Sequence, residues 1–275
     1  MTEAADVRAF YDRHPINEAQ VLDTLRARGR DLARLAPEDL FDLDQDHYGG
    51  VAAVEALARR AAVGPASRVL DVCAGLGGPA RFVAHRFGAR VVALDLNTAR
   101  VEAARRLTRA VHLEGRVVPL QGDAQRLPFR AASFTAVLSQ EGLLHVPDKA
   151  SALREAARVL VPGGRIAFTD WVATPRLEEG ERRRLAGWMA AVSLQTVAGY
   201  RALLGRAGFV AVEAEDLSAE WIRILRERLV MYRGLRPQTE ARFGRARADE
   251  YDQLYAFFVG LVEAGRLGGA RFSAT

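Results

Sequence analysis

The chain has 275 residues, of which 49% are hydrophobic and 27% are charged, and this is the composition of a globular protein with a sizeable core. Its formal net charge is +5, but Lys149 is the only lysine and the arginines alternate with acids. This pattern predicts solvated helix faces and no nucleic-acid partner. The single cysteine, Cys73, excludes an intrachain disulfide and a cysteine-based metal cluster. The five histidines do not pair at helical spacing, so no metal site is predicted.

The sequence disfavours both secretion and insertion into a membrane. No basic run precedes an apolar core at the start of the chain. No apolar stretch approaches the roughly 20 residues that cross a bilayer. We therefore expect a cytoplasmic protein without a membrane partner, either a monomer or a homodimer.

The first 50 residues are predicted to form a helical cap over the ligand edge of a sheet. Apolar residues recur at helical spacing at Ile16, Val21, Leu22 and Leu25, and an acidic, aromatic loop follows at residues 41–48. Residues 51–275 are then predicted to form the main domain.

From residue 68 onward, short β-branched runs alternate with helical stretches, which is typical of a parallel sheet wrapped by helices. The predicted strands are 68–73, 90–95, 116–121, 134–139, 165–171, 210–215 and 270–273. The predicted helices are 79–87, 98–111, 149–160, 197–207, 219–232 and 239–264. The predicted fold class is therefore α/β, a Rossmann-like seven-stranded, mostly parallel sheet with helices on both faces. Helical additions near the substrate site are predicted at about 172–200 and 217–267, after strands five and six.

A glycine-rich loop, DVCAGLGGPA, follows the first predicted strand and begins with Asp71. Its glycines Gly75 and Gly77, with Asp95 at the end of the next strand, fit the fingerprint of a dinucleotide site. An NAD(P)-dependent oxidoreductase is therefore one interpretation. Asp71 favours another ligand, because a carboxylate before the loop repels a pyrophosphate but attracts the ammonium and sulfonium of S-adenosylmethionine.

Taken in order, these motifs resemble those of the class I S-adenosylmethionine-dependent methyltransferases over essentially everything after residue 50. The glycine motif of that family is an acid followed by three glycines at alternate positions. This sequence has Asp71, Gly75 and Gly77, with Cys73 in place of the first glycine. The presence of Cys73 predicts that this position needs no positive φ.

The resemblance implies S-adenosylmethionine as the cofactor and suggests which residues hold it. Asp95 matches the acid that binds the ribose hydroxyls, and Asp123 matches the acid that contacts the adenine amine. The other implied cofactor-binding residues are Asp71, Ala74, Gly75, Gly77, Leu96, Ala124, Ser139 and Gln140.

The stretch SQEGLLHVPDK at residues 139–149, together with FTD at 168–170 and LVEAGR at 261–266, resembles the small-molecule branch of this family. That branch includes the sarcosine and dimethylglycine N-methyltransferases, the phosphoethanolamine methyltransferases and a group of sugar O-methyltransferases. The resemblance implies methyl transfer to a nitrogen or oxygen of a small-molecule acceptor by in-line displacement, with nitrogen favoured. A protein that binds the cofactor without catalysis is a further alternative.

His145 and Asp170 are the catalytic candidates, because they match a base and its partner in the sugar O-methyltransferase branch. Both follow predicted strands at the carboxyl edge of the sheet, where they could lie within mutual reach. Alternatively, His145 only holds its own loop, and Asp170 caps a helix or pairs with an arginine. The predicted substrate or lid residues are Tyr11, His47, Tyr48, Glu141 and Trp171.

Overall fold

The computed structural model describes residue 11 and residues 16–275, except for the side chains of residues 242 and 243. Seven strands form one sheet in the order β3-β2-β1-β4-β5-β7-β6, in which only β7 runs antiparallel to its neighbours. This confirms the predicted Rossmann-like, mostly parallel sheet. The strands are β1 (Arg68–Val72), β2 (Arg90–Asp95), β3 (Val117–Gln121), β4 (Phe134–Gln140), β5 (Leu160–Ala173), β6 (Glu213–Asp216) and β7 (Leu267–Ala274).

Helices lie before and between these strands. They are α1 (Glu18–Ala27), α2 (Gly50–Arg60), α3 (Gly78–Phe87), α4 (Thr98–Ala110), α5 (Lys149–Val159), α6 (Glu179–Met189), α7 (Val197–Arg206), α8 (Ser218–Gly234), α9 (Arg236–Phe243) and α10 (Arg245–Glu263). Within the part of the chain that the structure describes, no helix combines the length and the apolarity that crossing a membrane requires.

Polar side chains begin four of these helices. Asn17, Asn97, Asp148 and Thr196 each accept a hydrogen bond from a backbone N–H in the first turn of α1, α4, α5 and α7. Such a cap satisfies a donor that the helix leaves without a partner and contributes about 1 kcal/mol. The caps explain why α4, α5 and α7 begin at the predicted positions.

Three predicted boundaries are wrong for backbone reasons. The helix predicted at 239–264 is two helices, because Gly244 adopts φ 83° and ψ 162° between them. The strand predicted at 210–215 begins at Glu213, since Ala211 is left-handed with φ 50°. Val210 instead exchanges two backbone hydrogen bonds with Thr275. β5 begins before the predicted residue 165, because Leu160 already pairs with Phe134 across an irregularity in the ladder.

Each face of the sheet is covered by its own hydrophobic cluster. In β1, Val69 packs with Leu57 of α2 and Val83 of α3, whereas Leu70 packs on the opposite face with Leu153 of α5 and Phe272 of β7. Neighbouring residues of a strand point to opposite faces, so one strand contributes to both layers. This alternation explains the predicted placement of helices on both sides.

A third cluster, rich in aromatic rings, joins the end of β5 to the helices α6, α8 and α10. Trp171 contacts Trp221 with ring centroids 4.8 Å apart, and Phe258 lies 5.8 Å from Trp171. These rings are buried. The helical additions after β5 and β6 are therefore packed onto the sheet through this aromatic cluster.

Gly269 of β7 provides the space for Trp221. A Cβ atom at Gly269 would lie 2.3 Å from two atoms of the Trp221 ring. We expect Gly269→Ala to lower the free energy of unfolding by about 1–3 kcal/mol, because the ring must leave its packed position. Gly260→Ala is the matched control, since a Cβ there meets no atom within 4 Å. Urea denaturation of both variants measures the difference, and equal stabilities would contradict this account.

Candidate active site

A cavity of about 950 Å³, part of it open to solvent, lies at the carboxyl ends of β1, β2 and β4. The strand order reverses between β1 and β4, which is where open α/β sheets bind their ligands. Most of the predicted site residues line it: Tyr11, His47, Asp71, Ala74, Gly75, Asp95, Leu96, Asp123, Ala124, Gln140, Glu141 and His145. Five predicted residues are not among the lining residues, namely Gly77, Ser139, Tyr48, Asp170 and Trp171.

The glycine loop turns sharply out of β1 through left-handed backbone at alternate residues. The φ angles are 59° at Cys73, 55° at Gly75 and 76° at Gly77. The prediction that Cys73 needs no positive φ is therefore wrong. A residue with a Cβ pays about 1–2 kcal/mol for this conformation, and the fold imposes it here because the loop must turn toward α3. Gly142 makes room for Cys73, since a Cβ at Gly142 would lie 2.4 Å from the Cys73 Cβ.

Asp95 ties the glycine loop to the end of β2. Its Oδ2 accepts a hydrogen bond of 2.8 Å from the Gly75 N–H, and its Oδ1 accepts one of 2.8 Å from the Asn97 N–H. Asp123, on the next strand connection, accepts a bond of 2.8 Å from the Gln125 N–H. Backbone donors thus hold both carboxylates at the edge of the cavity.

Asp71 is the most isolated acid of the cavity. Its side chain is buried, and its Oδ2 has no hydrogen-bond partner within the described structure. Burial, followed by the nearby charge of Asp95, raises the pKa of Asp71 to about 8. A cationic ligand group beside Asp71 would satisfy this buried oxygen and favour its charged form.

His145 lies in a single 3₁₀ turn, Leu143–His145, directly after β4. Its Nδ1 is 3.0 Å from the backbone oxygen of Ala190, and its Nε2 is 2.7 Å from the hydroxyl of Tyr11. A carbonyl oxygen can only accept, so we assign the proton to Nδ1. Nε2 is then an acceptor that faces the cavity and takes the hydrogen bond of Tyr11.

Asp170 lies in a different environment. It is fully buried and accepts a short hydrogen bond from the Tyr200 hydroxyl, while its Oδ1 has no partner within the described structure. Burial raises the pKa of Asp170 to about 6, against the opposing effects of Lys149 and Tyr200. Asp170 thus lies in an internal polar group behind the cavity wall that carries His145.

The loop that follows α1 closes the cavity through two ion pairs that the sequence analysis missed. Arg81 of α3 contacts Asp44 at 2.8 Å, with both side chains almost completely buried. Arg100 of α4 contacts Asp46 at 2.5 Å and lies 4.7 Å from the centre of the Tyr11 ring. The available signal was the acid run DLDQD at residues 42–46, together with an arginine within an otherwise apolar stretch of α3.

The remaining predicted lid residues are divided between the cavity and the core. Burial lowers the pKa of His47 to about 4, so its ring is neutral at neutral pH. Both oxygens of Glu141 accept from the Tyr48 N–H, at 3.0 and 3.1 Å. The Tyr48 ring lies 5.5 Å from Trp171 and 5.1 Å from Trp221, within the aromatic cluster. Tyr48 and Trp171 therefore support the cavity wall from behind.

The sequence matches a known family model and several named relatives. Residues 70–168 match a family model described as a methyltransferase domain. A glycine/sarcosine/dimethylglycine N-methyltransferase from Actinopolyspora halophila is 34% identical over 165 residues, which are 60% of this chain and 29% of that protein. A 27-O-demethylrifamycin SV methyltransferase from Amycolatopsis mediterranei (strain S699) is 37% identical over 155 residues, which are 55% of this chain and 57% of that protein.

A solved structure of a methyltransferase has the same fold. The structure of Haemonchus contortus phosphoethanolamine N-methyltransferase 2, in complex with phosphomonomethylethanolamine and S-adenosylhomocysteine, aligns with a TM-score of 0.78 and 21% identity, covering 98% of this chain and 60% of that one. The chain spans less than two thirds of the length of both relatives and of this structure. The family model, the relatives and the fold agree: residues 70–168 form a methyltransferase domain, and the chain is similar to class I S-adenosylmethionine-dependent methyltransferases of small molecules.

Proposed function

We propose that the protein transfers the methyl group of S-adenosylmethionine to an oxygen or nitrogen of a small-molecule acceptor. One observation carries this proposal: the acids Asp71, Asp95 and Asp123 line the same cavity as the acceptor nitrogen of His145. The relatives include an N-methyltransferase and a 27-O-demethylrifamycin SV methyltransferase, which supports both kinds of acceptor atom.

The residues of the cavity fit the cofactor. The buried Asp71 oxygen, which has no hydrogen-bond partner among the described residues, suits the ammonium of the methionine part, and Asp95 and Asp123 suit the ribose and the adenine. Gly75, at positive φ, lets the backbone approach the ligand closely. When bound, S-adenosylmethionine supplies an electrophilic methyl group, so the protein has to orient the acceptor and take up its proton.

His145 is the group that we propose takes up this proton. Its Nδ1–H is held by the Ala190 oxygen, so the electron pair of Nε2 points toward the cavity, where it accepts from the Tyr11 hydroxyl. Nε2 would take the proton of an acceptor hydroxyl, directly or through the Tyr11 hydroxyl, so that the oxygen could take up the methyl group that S-adenosylmethionine would supply, leaving the donor sulfur as a neutral thioether. A neutral amine already has an electron pair and needs only orientation. The arrangement at Nε2 therefore favours a hydroxyl acceptor more than the sequence alone does.

Isothermal titration tests the proposal directly. We expect S-adenosylmethionine and S-adenosylhomocysteine to bind with dissociation constants below about 1 mM. Incubation with radiolabelled donor and a broad metabolite set should then yield methylated products, whose mass spectra identify the acceptor atom. Absence of binding by both ligands at millimolar concentration would contradict the proposal. Binding of the reduced nicotinamide dinucleotide in their place would indicate an oxidoreductase.

Asp71 predicts a proton release when the cofactor binds. With a pKa of about 8, the free carboxyl is mostly protonated at pH 6.5, and a bound ammonium favours its ionised form. We therefore expect release of close to one proton at pH 6.5. The affinity should rise with pH up to about 8, because the bound pKa of Asp71 is lower than the free one, and should fall above it as the ligand ammonium loses its proton. Calorimetry in phosphate and Tris buffers measures the release.

Asp71→Asn is the control for this measurement. The variant keeps the shape of the side chain but has no proton to release. Residue 71 should therefore add no buffer-dependent part to its heat of binding. At pH 6.5 the amino group of the ligand, with a reference pKa of about 7.7–8.0, is already protonated and adds little to the signal. Equal heats in the two buffers for the wild-type protein would contradict the prediction.

The remaining properties stay predictions from composition. We propose a cytoplasmic protein that acts on a free small molecule, with no nucleic-acid or membrane partner, as a monomer or homodimer. The scattered arginines support this proposal, because most of them pair with acids on the same surface, as Arg223 does with Glu227 at 2.7 Å.

A further inference from the structure

The turn that carries His145 is held by a second segment of the chain, which follows α6. The Ser193 N–H donates to the Leu144 oxygen at 3.3 Å, and the Ser193 hydroxyl donates to the Val146 oxygen at 2.5 Å. Ala190, in the same segment, accepts from Nδ1 of His145. One segment therefore fixes the backbone on both sides of His145 and also the orientation of its ring.

Lys149 holds that segment in place through hydrogen bonds to Ser193. Its ammonium donates to the backbone oxygen of Ser193 at 2.5 Å and, through a shorter contact, to the Ser193 hydroxyl. Lys149 is only 3% exposed, although a buried ammonium is costly unless it is hydrogen bonded and balanced by an opposite charge. The nearby Asp170 carboxylate supplies this balance and favours the charged form of Lys149.

Through these contacts, Lys149 affects the orientation of His145, the proposed proton acceptor. The Ser193 hydroxyl accepts a hydrogen bond from Lys149, so its own proton points toward the Val146 oxygen. The ammonium thus sets the direction in which Ser193 donates. Loss of the ammonium would remove two of the hydrogen bonds at Ser193 and loosen the residues next to it. The Ala190 oxygen, only three residues away, would then no longer hold Nδ1 in one position.

We propose that Lys149 is a positioning residue that fixes the imidazole of His145 by tying Ser193 to the turn that carries the ring. This inference rests on the proposed function, in which Nε2 of His145 accepts a proton from the acceptor.

Kinetics of Lys149→Met provide the first test. A displacement of the base by about 1 Å can cost about 100-fold, so we expect kcat with a hydroxyl acceptor to fall by about 10- to 100-fold. The dissociation constant of S-adenosylmethionine should change by less than about twofold, because Lys149 is not among the residues that line the cavity. Ser193→Ala should lower kcat in the same direction but less, since the backbone oxygen of Ser193 stays.

Arg154→Met is the matched control. Arg154 lies on the same helix, is exposed and contacts only Ser151 among the described hydrogen bonds. This variant removes a long cationic side chain from α5 without touching the Ser193 segment. Its kcat should equal that of the wild-type protein.

The second readout is the tautomer of His145, recorded by two-bond ¹H–¹⁵N spectra of ¹⁵N-histidine protein and assigned with His145→Ala. We expect protonated Nδ1 in the wild-type protein and a mixture of tautomers in Lys149→Met and Ser193→Ala. This readout needs no acceptor, so a wild-type protein without methyl transfer would overturn the proposed function and not this inference. An unchanged tautomer and kcat in Lys149→Met would overturn the inference, and Ser193→Ala decides in the same way where Lys149→Met does not fold.

Discussion

His145→Ala is expected to lower kcat with a hydroxyl acceptor by about 10²- to 10⁴-fold, the usual effect of removing a general base. The reason is the geometry of the ring, whose Nδ1–H is held by Ala190 and whose Nε2 accepts within the cavity. Without it, the hydroxyl must attack with its proton still attached. Single-turnover rates with saturating donor isolate this step from product release.

Two comparisons make the result specific. His85→Ala removes a histidine from the surface of α3, where it pairs with Glu38 at 2.8 Å, and should leave kcat unchanged. An amine acceptor should lose only a few-fold in His145→Ala, because its electron pair is already available. If kcat falls only a few-fold with a hydroxyl acceptor as well, His145 orients the substrate and is not a general base.

Arg81→Met is expected to lower the free energy of unfolding by about 3–5 kcal/mol, the largest stability effect that the structure predicts. Arg81 donates to Asp44 from both Nε and Nη2, at 3.2 and 2.8 Å, and neither side chain is more than 1% exposed. Removal of the guanidinium leaves the Asp44 carboxylate buried without its cation. The backbone oxygen of Asp44 lies against Gly78 at the start of α3, so the glycine loop loses its cover as well.

An exposed ion pair provides the control for this prediction. Arg26 contacts Asp23 at 2.7 Å, but both side chains are more than half exposed. Arg26→Met should therefore change stability by less than about 1 kcal/mol. The double variant Arg81→Met with Asp44→Leu should recover much of the loss, since it removes the unpaired charge. Equal urea midpoints for Arg81→Met and Arg26→Met would show that the buried pair does not stabilise the fold.

The sequence by itself determined the sheet and the edge at which the cavity lies. Runs of β-branched residues and helix-capping residues such as Asn97 are local signals, because they act over one turn or one strand. Parallel strands bring their carboxyl ends to one edge, and residues that follow β1, β2 and β4 therefore meet there. For that reason the positions of Asp71, Asp95 and His145 at one cavity could be predicted without coordinates.

The tertiary structure alone decided which side chains contact each other at that edge. Asp44 and Arg81 are 37 residues apart, and Lys149 and Ser193 are 44 apart, so no local pattern links them. Asp170 lies at the same edge of the sheet as His145, but its hydrogen-bond partner is Tyr200. This pairing depends on how α7 packs. Local sequence determines secondary structure through hydrogen bonds and periodic burial, whereas side-chain pairs across the cavity form only after distant segments are brought together.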